Sequence, residues 1–129
     1  MYEPIRTKSV HRMADDHDRY PHRSREEELD IQLAGHLGAL LAVTDELGDD
    51  PAAERIARQV ARLRGTPPVR HAGLSGAGPA ALHHRAHTLA GRALVVAASR
   101  ADTAAAILAA ERMDAHAAAL DTLRPVGAL

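Results

Sequence analysis

Between residues 80 and 123 nothing in the chain breaks a helix strongly. One continuous helix of that length would run about 65 Å at the α-helical rise. A compact domain of 129 residues has a radius of gyration near ~14 Å. The stretch must therefore turn, or the protein must be an elongated dimer. The best place for a turn is the segment SRADT, where Arg100 and Ala101 end one helix and Asp102 caps the next. A turn there makes an antiparallel helical hairpin.

Two further helices precede it. Ser24 with Glu27 forms a capping box, and Glu26, Glu27 and Glu28 suit the positive end of a helix dipole. The stripe Leu29, Leu33, Leu37, Leu40, Leu41, Thr44 and Leu47 follows at helical spacing and stops at Gly48. Asp50 as cap and Pro51 at the first helical position restart the chain. The second helix, about 51–64, turns Ile56, Val60 and Leu63 to one side and ends at Gly65. Pro79 opens the third helix.

These elements predict an all-α fold, an up-and-down bundle of about four helices. The domain plan is an irregular or extended N-terminal arm over residues 1–23 and a helical domain over 24–129, with a linker at 65–79. The core of this bundle is unusual, because the chain has no Phe, no Trp and 28 alanines. Leu, Val, Ile and Ala must fill it, and small contact residues let helix axes approach toward the short end of the ~8–10 Å range.

Composition also bounds function. A net charge of -1 argues against a nucleic-acid partner, which calls for a basic face. Zero cysteines exclude disulfides, thiol catalysis and Cys-ligated metal. The first twenty residues lack the apolar run of a signal peptide, and no apolar run approaches the ~20 residues that span a bilayer. The expectation is a cytoplasmic protein with no membrane partner.

Three stretches look chemical. Gly73, Gly76 and Gly78 precede a helix N-terminus, where free N–H groups attract anions. Their order is G-x-x-G-x-G, however, with no preceding strand and no Lys–Ser/Thr pair, so the segment reads as a flexible connection. His83 and His87 stand four apart on one helix face, the spacing helices use for zinc or another divalent metal. With a turn at Ala101 and Asp102, His116 falls level with His87, and Glu111 with Arg92. His83, His87 and His116 are thus the candidate metal ligands, with His36 as a possible fourth. No H-E-x-x-H or Glu-x-x-His pattern accompanies them. The cluster Asp15, Asp16, His17 and Asp18 lacks the glycine and closing Glu of a calcium loop and reads as a solvated tail. Arg55, Arg58, Arg62 and Arg64 read as a solvated face of the second helix.

No catalytic residue is assigned: no G-x-S-x-G elbow occurs, and Asp102, Glu111 and Asp114 are explained by capping and helix polarity. The segment TAAAILAAERMDAHAAAL is apolar around more than one stripe, which predicts that the last helix is buried by the arm or by a second subunit. The row Ala34, Gly38 and Ala42 offers a further close-packing surface. The expected function is a non-enzymatic helical interaction or regulatory protein, a homodimer meeting an unknown protein partner. The alternative is a metal- or small-ligand-binding bundle centred on the three histidines, and no other cofactor is expected.

Overall fold

The computed structural model describes residues 23–70 and 74–125. They form four α-helices: α1 (Arg25–Leu47), α2 (Asp50–Arg64), α3 (Pro79–Arg100) and α4 (Thr103–Thr122). The arm expected over residues 1–23, and with it the Asp15–Asp18 cluster, lies almost entirely outside the described residues.

Each helix boundary has a local cause. Ser24 and Glu27 form the reciprocal capping box at the start of α1. Gly48 ends α1 in the left-handed conformation, at φ 80°, which costs glycine nothing. The cap of α2 is Asp49, one residue before the expected Asp50; its side chain accepts from the Ala52 N–H. Asp50 and Pro51 therefore occupy the first turn. The hairpin turn falls where expected. Ala101 adopts φ 59° and Asp102 caps α4 through the Ala105 N–H. With no glycine available, an alanine takes the left-handed position, at roughly 1–2 kcal/mol.

Ion pairs at the helix ends fix the directions. Arg100 at the end of α3 binds Asp30 near the start of α1, and Ser75 before α3 binds Glu46 near the end of α1. Thus α1 and α3 are antiparallel. Arg62 reaches Asp102, which makes α2 and α4 antiparallel as well. Every packed pair runs up and down. In chain order, however, α2 and α3 descend together, because the linker carries the chain back along the bundle.

The core sits around α1, which packs on both α2 and α3. Leu33, Leu37 and Leu40 are fully enclosed, and α3 answers with Ala86, Ala90, Ala93 and Ala97. Large side chains on one helix against alanines on the other let an aromatic-free core close. The buried Thr44 hydroxyl donates to the Leu40 carbonyl, so it adds no unmet polar group. α4 packs chiefly on α3 and lightly on α2, and its backbone does not pack against that of α1.

Among the described residues the last helix is covered on one side only. Ala105, Leu108 and Ala109 are covered, while Ala104, Ile107, Ala117 and Ala118 face outward. Its expected covers, the N-terminal arm and a second subunit, lie outside the described residues.

Candidate functional site

The glycine loop, expected as a flexible connection, is tied to α1 through Ser75. The N–H and the hydroxyl of Ser75 both donate to Glu46, at 2.9 and 2.7 Å. These bonds hold the Glu46 carboxyl below its usual pKa, with a smaller contribution from the nearby Arg85 charge. Five residues earlier Arg70 donates to both Asp45 and Glu54, which raises its pKa. The linker is tied at both places to the end of α1. Gly73 lies outside the described residues. The Ala34, Gly38 and Ala42 row is met by the same chain: Arg64, Pro68, Val69 and Arg70 share a groove with it, and the Arg64 guanidinium lies 3.4 Å from a Cβ built on Gly38.

The densest polar group in the interior lies between α3 and α4. His83 Nδ1 and His116 Nδ1 are 2.9 Å apart, with ring centroids 5.1 Å apart and planes tilted by 49°. His116 is 2% exposed. On its other side Arg112 Nη2 stands 3.5 Å from His116 Nε2. The same Nη2 donates to Asp49 Oδ2 at 3.2 Å. Asp49 is the cap of α2, so one carboxylate serves a helix end and a guanidinium together. Arg112 Nε is buried without a hydrogen-bond partner among the described residues.

This arrangement selects one tautomer. Arg112 can only donate, so His116 Nε2 must present its lone pair. Its hydrogen then sits on Nδ1 and points at His83 Nδ1, which accepts. A directed chain results, from Asp49 through Arg112 and His116 to His83. Burial lowers the His116 pKa to about 4, followed by the Arg112, His83 and His87 charges, while Asp49 opposes them. The neutral imidazole is the form the fold holds.

Of the three expected metal ligands, the structure brings His83 and His116 together. It is His83, one turn from the expected His87, that meets His116. Helices in such bundles cross at about 20° rather than lying parallel, so counting equal distances from a turn misplaces lateral partners by a turn. Likewise Glu111 meets Arg55 of α2 instead of Arg92. His36 lies on α1, whose backbone does not pack against that of α4. Among the described residues no three His, Asp or Glu stand close enough to hold a metal ion.

Arg112 was not anticipated. Its signal in the sequence was its place four residues before His116, on the same helix face, in a segment otherwise rich in alanine.

No family model, curated protein or solved structure matches the chain. No helix among the described residues is long and apolar enough to cross a membrane.

Proposed function

We propose that this chain is a non-enzymatic helical interaction protein that self-associates through the outer side of α4. The observation that carries this reading is the uncovered aliphatic surface of that helix. Ile107 is 56% exposed, and Ala104, Ala117 and Ala118 are exposed with it. Ala104, Ile107 and Leu108 line a groove beside α2, with Arg55, Arg58 and Glu111 along its edges. An aliphatic centre with a charged rim is the anatomy of a protein interface. Small side chains on α4 would let a second copy approach closely.

Light scattering tests the reading. The expected mass is twice that of the 13.7 kDa chain, and Ile107→Glu should halve it while leaving helicity unchanged. A wild-type chain that stays monomeric at high micromolar concentration rules out self-association.

A further inference from the structure

The two halves of α4 are held by different chemistry. Residues buried in its first half are Ala105, Leu108 and Ala109; those buried in its second half are Arg112 and His116 alone. Met113 packs partly buried beside Gly91 of α3, but the fully buried attachment of this half is the polar chain. That chain has room for one hydrogen between the two Nδ1 atoms. A proton from solvent that lands on His83 Nδ1 sets N–H against N–H. If the hydrogen then shifts on His116 from Nδ1 to Nε2, an N–H points at Arg112 instead. Either way one link becomes a clash of donors at a part-buried contact, where the pair cannot separate without opening the helix interface.

We propose that the Asp49–Arg112–His116–His83 chain is an acid-sensitive clasp: protonation of the imidazole pair frees the second half of α4 from α3 while the first half stays packed. The charged and titratable groups facing His116 are His83 and His87 from α3, Arg112 from α4 and Asp49 from the α2 cap. Three of the four oppose a positive charge there, and Asp49 is already engaged with Arg112. No group of α1 is among them.

The sign follows from linkage. The folded-state pKa of His116, about 4, lies below its ordinary value of 6.5. The unfolded or opened state binds the proton more tightly between those limits, so stability is full above about pH 6.5. It is lost progressively as pH falls toward about 4.

Two-dimensional NMR of the full chain tests this, with histidine ring nitrogens and amide exchange followed from pH 7 to pH 4. His116 should stay neutral as the pH falls below its ordinary value of 6.5. Amide protection in the second half of α4, corrected for intrinsic exchange, should fall by about tenfold per pH unit, the slope of one-proton uptake. The amides of Leu108 and Ala109 should keep theirs. In His116→Gln the side-chain amide can either donate to His83 or accept from it, so protonation of His83 creates no clash and the second half should show no such fall. Should that variant fail to fold, His83→Gln serves. Its amide oxygen accepts the same Nδ1–H, and it should keep the helix end closed to lower pH. The proposal is overturned if His116 titrates at its ordinary value of 6.5, if both halves of α4 open as one, or if the foldable variant opens as the wild type does.

Discussion

The seams of α1 and the seam between α2 and α4 solve the same packing problem by opposite means. Along α1, leucines press into alanines of α3 and into Ala53, Ile56 and Val60 of α2. Between α2 and α4, three ion pairs replace aliphatic contact: Arg62–Asp102, Arg55–Glu111 and Asp49–Arg112. They succeed one another along the antiparallel pair like rungs. The two N-cap aspartates serve at both ends, each accepting from its own helix and from an arginine of the other. Aliphatic burial is non-directional and strong, about 1.5–3 kcal/mol for a leucine. Exposed ion pairs are directional and weak, about 0–1 kcal/mol each. The α1 seams should therefore supply stability, while the α2–α4 seam sets register and stays easy to open.

The sharpest way to break this contrast is one substitution on each side. Leu37→Ala removes a fully enclosed side chain and should cost about 2–5 kcal/mol. Arg55→Ala removes a pair whose side chains are both largely exposed and should cost under about 1 kcal/mol, less again in high salt. Denaturant unfolding measures both. Costs of similar size would mean that the ionic seam contributes as much as the core.

Asp49 is the intermediate case, since it acts as a cap and also partners a guanidinium whose side chain is only 10% exposed. Asp49→Ala should cost about 3 kcal/mol, the sum of a lost cap and a stranded, nearly buried charge. Asp49→Asn keeps a good cap and removes only the charge. Chemical denaturation of the two variants apportions the terms. If Asn costs as little as a few tenths of a kcal/mol, Arg112 does not need its carboxylate.

The two seams were not equally legible in the sequence. Helix number, the Ser24 cap, the Gly48 stop and the turn at Ala101 and Asp102 could be read because each depends on residues within four positions of one another. The leucine stripe likewise pointed inward on periodicity alone. The α2–α4 rungs join residues 40 to 63 positions apart, and choosing among fifteen arginines requires the crossing geometry. The histidine pairing shows the same limit: a level count from the turn puts His87 beside His116, and the structure puts His83 there, one turn away.

The smallest effect expected concerns metal. His116 has two ring nitrogens, one carrying the hydrogen that points at His83 and one whose lone pair faces a guanidinium. A dication bound there would need that hydrogen removed, and would sit beside the permanent charge of Arg112 in a nearly water-free place. His83 alone is a weak ligand. Added zinc should therefore leave the melting temperature at neutral pH unchanged. A rise of several degrees that disappears in His83→Gln would instead mean that Arg112 swings away and that the imidazole pair opens to hold a cation. The α3–α4 interface would then be a ligand site, and the ionic seam beside it would be the element that moves to admit the metal.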